Sequence, residues 1–211
     1  MFIHDQEFKL YRCKWCGENP LMVAYHDLEW GVPVHDDQKL FEFLILEGAQ
    51  AGLAWQIVLN KRENYRKAFD RFDAKKIANY GQRETRRLLS DSGIIRNRFK
   101  IAAAISNAKA FLKIQKEFGT FDAYIWQFVG GGPVNNKIKT TKDIPRMTRQ
   151  SDAMSKDLLK QGFKFVGSTI CYAFMQAVGM ANDHEIKCFR YEQLLIAENS
   201  ARAGRVRGEL I

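Results

Sequence analysis

Cysteine and histidine form the most chemically specific pattern in this chain. Cys13-Lys14-Trp15-Cys16 lies near the start and His184-Glu185-Ile186-Lys187-Cys188 near the end, with His26 between them. His184 and Cys188 are four residues apart, so on a helix both face one way and reach one ion. A tetrahedral zinc site needs four ligands, and five candidates are present: Cys13, Cys16, His26, His184 and Cys188. Spacing alone does not choose between Cys16 and His26, and metal-free buried thiols with solvated histidines are the competing reading. Either ligand set joins residues about 160 apart, which removes freedom from the unfolded chain. With no position left for water, such a zinc would be structural.

A second constellation surrounds one carboxylate. Glu47 ends the apolar stripe of Leu40, Phe41, Leu44, Ile45 and Leu46, within Leu46-Glu47-Gly48-Ala49-Gln50-Ala51-Gly52-Leu53-Ala54-Trp55. A carboxylate beside a buried face costs several kcal/mol unless compensated, so it is often there for a ligand. Trp15, Tyr25, Trp30 and Trp55 lie nearby in sequence and offer flat faces for a stacked base. A solvated helix-end glutamate and core aromatics are the ordinary alternative.

The third feature is Gly162-Phe163-Lys164-Phe165-Val166-Gly167. Glycines at both ends permit a tight turn and close approach to a ligand. The helix beginning near Ser168 would then present free backbone N–H groups to a phosphate, with Lys164 adding charge. A plain helix connection is the competing explanation.

These groups need a scaffold, and the rest of the chain describes one. The 211 residues are 46% hydrophobic, enough to bury a core. Apolar spacing is helical nearly everywhere: a helix after the caps Asp36 and Asp37, a second through Val58, Tyr65 and Phe69, and a longer one through Ile101, Ile105, Ala108 and Leu112. Thr120 is expected to cap a short helix containing Tyr124, Trp126 and Phe128. Gly130 to Pro145 reads as loop. Ser151 is expected to open a helix through Met154 and Leu158 that Gly162 ends, and another follows through Ile170, Phe174 and Val178. No strand alternation or repeat stands out, so the fold class is all-α. The tail from Phe189 to Ile211, with Arg190, Arg202, Arg205 and Arg207, has weak periodicity and is expected to be only partly ordered.

Lys and Arg outnumber Asp and Glu by 33 to 24, a net charge of +9 that favours a polyanionic partner. No apolar run approaches the roughly 20 residues of a membrane span. Met1 to Leu10 lacks the pattern of a signal peptide, so a cytoplasmic location without membrane attachment is expected. In that reducing compartment the four cysteines are not expected to form disulfides.

Four segments together resemble the 3-methyladenine DNA glycosylase I family: Ala24-Tyr25-His26-Asp27-Leu28-Glu29-Trp30-Gly31-Val32-Pro33, Leu46 to Trp55, Lys61-Arg62-Glu63-Asn64-Tyr65 and Gly162 to Gly167. The resemblance runs from about Cys13 to Cys188. It implies a helix-hairpin-helix DNA glycosylase fold with one zinc joining the N- and C-terminal regions through Cys13, His26, His184 and Cys188. It implies an N-terminal extension 1–12, one glycosylase domain 13–188 with its hairpin at 151–180, and a basic tail 189–211. The family's base-pocket acid falls on Glu47 and its substrate-binding positions on Trp15, Tyr25, Trp30, Trp55 and Gln50, with Met22 replacing a further aromatic. Gly52 and Leu53 match the segment pressed into the base stack, and Gly162, Lys164, Gly167 and Ser168 fall on the DNA-binding turn.

The implied activity is hydrolytic release of 3-methyladenine from alkylated double-stranded DNA by a monomer. The aspartate that many hairpin glycosylases use to stabilise the sugar cation has its candidate in Asp183, but this lies beside the implied ligand His184 and is not assigned catalysis. A non-enzymatic binder of alkylated DNA, or a glycosylase shifted toward another alkylpurine through Met22, are the rival readings.

Overall fold

The computed structural model describes residues 10–208. Among these, ten α-helices follow one another: α1 (Pro20–Leu28), α2 (Asp37–Gln50), α3 (Trp55–Ala68), α4 (Ala74–Ala78), α5 (Gln82–Ser90), α6 (Arg98–Phe118), α7 (Phe121–Trp126), α8 (Arg149–Lys160), α9 (Ser168–Ala177) and α10 (Phe189–Gly208). The protein is all-α in class. One addition escapes the sequence pattern: β1 (Val134–Asn135) pairs in parallel with β2 (Ala181–Asn182), a two-residue ladder too short to leave any alternation.

Side-chain caps set most helix starts. Asn19 accepts from the amides of Leu21 and Met22, and Pro20 at the first helical position has no amide to satisfy. Asp36 caps α2 through Lys39 N at 2.8 Å, and Thr120 caps α7 through Ala123 N at 3.0 Å, as their positions predict. The start of α8 differs from expectation. Thr148 is its cap, and Ser151, three residues in, completes a reciprocal pair by accepting from Thr148 N.

α2 is the core of the molecule rather than the half-buried helix its stripe suggests. Every residue from Leu40 to Ala49 is buried, because α3, α6, α7 and α9 all pack against it. This carries two carboxylates inside. Glu42 is neutralised by Arg62 at 2.6 Å and Arg66 at 2.7 Å, and Arg62 also reaches Glu29 of the α1 end at 2.6 Å. The Lys61 to Tyr65 segment thus staples α3 in place: Lys61 Nζ donates to Ser92 O and Tyr65 OH accepts from Ile95 N.

The C-terminal segment is more regular than its weak periodicity suggests. Residues 189–208 are helical throughout, as α10. Buried Tyr191 and half-buried Phe189 anchor its first turn, and Glu198 accepts from Asn135 Nδ2 at 2.9 Å. A few anchored turns propagate a helix that hydrophobic periodicity does not announce. The expected extension 1–12 lies largely outside the described residues, as do 209–211.

Candidate functional site

α2 brings Glu47 to the wall of a cavity of about 340 Å³ lined by Trp15, Met22, Tyr25, Trp30, Glu47, Gln50, Trp55, Thr141, Ile144, Ala173 and Gln176. All seven residues placed in a base pocket by the family resemblance line this one space. The other four come from places with no sequence signal: Thr141 and Ile144 from the Gly130 to Pro145 loop, Ala173 and Gln176 from one face of α9.

The aromatic walls are braced by edge-to-face and tilted ring contacts. Trp15 and Trp30 have centroids 4.8 Å apart at 65°, and Tyr25 and Trp55 lie 5.3 Å apart at 45°. Such contacts lock ring orientation while leaving faces available to a guest.

The polar groups are the informative part. Among the described residues, four buried side-chain nitrogen or oxygen atoms have no hydrogen-bond partner, and three belong to this cavity: Glu47 Oε2, Trp15 Nε1 and Trp55 Nε1. An unmade buried hydrogen bond costs about 1–3 kcal/mol. One acceptor and two donors left unpaired around an aromatic slot describe a site for a flat, heteroatom-bearing ligand. Glu47 is 4% exposed, and burial pushes its carboxyl up to about 8. Glu42, five residues earlier on the same helix, is held by two arginines, whereas Glu47 Oε2 has no hydrogen-bond partner. Burial, then the Glu47 charge, also raises the Tyr25 hydroxyl.

The second cluster adjoins this cavity. Cys13 Sγ lies 3.6 Å from His184 Nδ1, and Cys188 Sγ lies 3.6 Å from His184 Nδ1 and 3.5 Å from His26 Nε2. All four ligand atoms fall within 4.8 Å of one another, and all four residues are buried. A tetrahedral ion with ordinary zinc–sulfur and zinc–nitrogen lengths holds sulfur and nitrogen about 3.6 Å apart. The donor set therefore fits a metal ion. Outer partners fix both rings: His26 Nδ1 meets Asp27 Oδ1 at 2.7 Å, and His184 Nε2 donates to Trp30 O at 2.9 Å. The Cys188 thiol is held below its usual range by a hydrogen bond from the Cys13 thiol and by the two imidazoles. Cys16 is buried outside the cluster, its thiol donating to Gly17 O at 3.7 Å, so the choice that spacing left open falls to His26.

The glycine-bounded turn joins α8 to α9 as expected. Gly162 takes a φ of +97°, a value that favours glycine. α9 begins after Gly167, which has no side chain to cap it, while Lys164 is exposed. Leu53 is 37% exposed in the turn between α2 and α3. The described helices include none long and apolar enough to cross a membrane.

A sequence model described as methyladenine glycosylase matches residues 15–191. The chain belongs to that family. It is 51% identical to DNA-3-methyladenine glycosylase 1 of Escherichia coli (strain K12) over 180 residues, covering 85% of this chain and 96% of the relative. Identity to the DNA-3-methyladenine glycosylase of Haemophilus influenzae is 48% over 177 residues, covering 84% and 96%. Among solved structures, a 3-methyladenine DNA glycosylase I superposes with a TM-score of 0.83 at 51% identity, covering 85% and 98%. The Staphylococcus aureus 3-methyladenine DNA glycosylase I, solved to explain 3-methyladenine recognition, superposes at 0.82 with 32% identity, covering 84% and 95%. The chain spans nearly the whole length of these relatives, and the acid and aromatics of the cavity adjoin the Cys/His cluster through Trp15 and Trp30.

Proposed function

We propose that this chain is a DNA repair glycosylase that flips 3-methyladenine out of alkylated double-stranded DNA and releases it by hydrolysis. The observation that carries the reading is the trio of unpaired buried atoms, Glu47 Oε2, Trp15 Nε1 and Trp55 Nε1, around one aromatic cavity. The relatives' names supply the substrate.

Methylation at N3 makes the nucleobase cationic, so its bond to the sugar breaks to leave a neutral base and a sugar cation that water captures. Little acid catalysis is required. The protein's task is selection. Aromatic faces attract the cation by about 0.5–2 kcal/mol per good contact, and Glu47 accepts a hydrogen bond from the exocyclic amine. Trp15, Tyr25, Trp30 and Trp55 enclose the ring, with Gln50 at the edge, and Met22 packs a polarisable thioether where the family carries another aromatic. Unmodified adenine lacks the charge and gains less. Outside the pocket, Gly52 and Leu53 wedge the gap left by the flipped nucleotide. Gly162, Lys164, Gly167 and Ser168 hold a backbone phosphate with the open amides of α9.

Zinc on Cys13, His26, His184 and Cys188 would supply structural closure, binding the two chain ends. The enzyme works as a monomer in the cytoplasm on this reading. Incubation with methylated DNA and identification of the freed bases tests it: 3-methyladenine as the main product is expected. A preference for another alkylpurine would assign Met22 a change in specificity, and release of no base would reduce the protein to a binder.

A further inference from the structure

One helix holds both of the loops that meet DNA on the preceding reading. From α6, Lys100 Nζ donates to Ala49 O and Ala51 O, each at 2.7 Å. These carbonyls close the end of α2 immediately before Gly52 and Leu53. Seven residues along α6, Asn107 uses both ends of its amide on a single residue of the hairpin turn: Nδ2 donates to Lys164 O at 3.0 Å, and Oδ1 accepts from Lys164 N at 2.7 Å.

Seven residues are two helical turns, so the two side chains leave α6 on the same face about 10 Å apart. Ala103 and Ala104 sit between them, and Leu44, Ile45, Gly48 and Phe165 close the space opposite. α2 and the turn touch here, since a Cβ at Gly48 would meet Phe165 Cβ at 3.4 Å, an ordinary contact distance. Phe165 itself has a φ of +54°, a left-handed conformation that a bulky residue keeps only when its neighbours are pinned. Asn107 is 3% exposed and spends a buried amide on one peptide group of a surface turn. The Lys100 ammonium meets the carbonyl end of α2, where the helix dipole favours a cation. Burial lowers the Lys100 pKa without removing that contact.

We propose that α6 sets the distance between the wedge at Leu53 and the phosphate-binding turn, with Lys100 and Asn107 as the positioning residues; this rests on the DNA reading of both loops. A wedge and a phosphate contact reinforce each other only when their separation matches that of the extruded nucleotide and its strand. Slack in either loop would be settled from binding energy as lost entropy. Lys100, Asn107 and Lys164 do not line the base cavity, so free-base binding is expected to change far less than duplex binding.

The test compares Lys100→Met, Lys100→Arg, Asn107→Ala and Leu53→Ala in the full chain. Melting temperature verifies folding, tryptophan fluorescence follows free 3-methyladenine, and binding to a duplex with an abasic-site analogue reports the DNA contacts. Single-turnover release from methylated DNA completes the set. Lys100→Met and Asn107→Ala are expected to weaken duplex binding by about tenfold or more and to slow release, with free-base affinity within about twofold of wild type. Lys100→Arg should recover most of the loss. Lys100 is half-exposed, so its variants carry the test if Asn107→Ala does not fold. Free-base affinity falling in step with duplex affinity would overturn the spacing role in favour of general loosening. Weak duplex binding by Leu53→Ala alongside wild-type binding by the other two would overturn the spacing role alone. Wild-type binding by Leu53→Ala would remove the DNA reading of that loop and the spacing role with it.

Discussion

Gln176 Nε2 donates to Asp183 Oδ2 at 2.7 Å, tying a residue of the cavity wall to a fully buried carboxylate. Tyr172 OH and Asn136 Nδ2 donate to the same carboxylate, so three protein donors already occupy it. This is the residue at which the sugar-cation-stabilising aspartate of many hairpin glycosylases would fall, and its place beside His184 argues against that role. It is directed instead at α9 and the β1 segment, and it is not among the residues lining the cavity. Asp183→Asn places an amide against donors that need an acceptor, and a loss of about 1–3 kcal/mol in stability is expected. Base release by the folded fraction should fall less than tenfold, whereas loss of direct transition-state stabilisation costs about a hundredfold or more. Denaturation curves beside single-turnover rates check this, and a hundredfold rate loss at unchanged stability would make Asp183 catalytic.

Glu47 gives a stability prediction with a definite sign. Its carboxyl is pushed up from 4.5 to about 8 by burial. Below the lower value the folded and unfolded chains both hold the proton, and burial of the neutral acid costs little. As pH rises through this window the unfolded chain ionises first, and folding stability falls until the folded group ionises too. Glu47→Gln removes that loss. Its advantage over wild type should be absent near pH 4, grow with pH and level off above about 8, at about 1.4 kcal/mol per pH unit across the window. Melting temperatures across this range decide it, and equal values at pH 8 would mean that Glu47 is already paired. Activity should move the other way, with release of 3-methyladenine falling about 10- to 100-fold for loss of a charged hydrogen bond of about 1.5–3 kcal/mol.

A proton should also leave when the lesion enters. At pH 7 an empty pocket holds Glu47 mostly protonated, and a cationic base placed against it favours the carboxylate. Binding of a duplex carrying a cationic, non-cleavable analogue should release close to one proton per site. Calorimetry in buffers of different ionisation enthalpy measures the number. Wild type and Glu47→Gln giving the same value would assign the proton elsewhere.

Much of this site is legible in the sequence. Long aromatic and acidic segments carry a family resemblance, and the residues it selected share one cavity. The Cys/His set needed that resemblance as well, since spacing could not separate Cys16 from His26. Other features depend on partners distant in sequence. Glu42 and Glu47 look alike along the chain, and only Arg62 and Arg66 packing across α2 distinguishes them. Thr141 and Ile144 reach the cavity because the loop holding them folds back, with Thr141 N and Oγ1 bonded to Glu185. α10 escaped because its order comes from a few anchors such as Tyr191 rather than from a repeating stripe.

Metal removal should reach the base pocket, because two of its walls stand on the cluster. Trp30 O accepts from His184 Nε2 at 2.9 Å, and the Trp15 ring packs on His26 with centroids 5.4 Å apart. Elemental analysis of purified protein should find about one zinc per chain. Chelation, or Cys13→Ser, frees the segment before α1 from the segment after β2. A fall in melting temperature is expected because restoring chain freedom favours the unfolded state. Trp15 and Trp30 then lose their supports although Glu47 on α2 does not move. Affinity for free 3-methyladenine should drop at temperatures where circular dichroism still reports native helix, and zinc should restore it. Protein that is metal-free as purified and equally stable would refute the closure. A lower melting temperature with unchanged base affinity would confine the metal to the chain ends and separate it from the pocket.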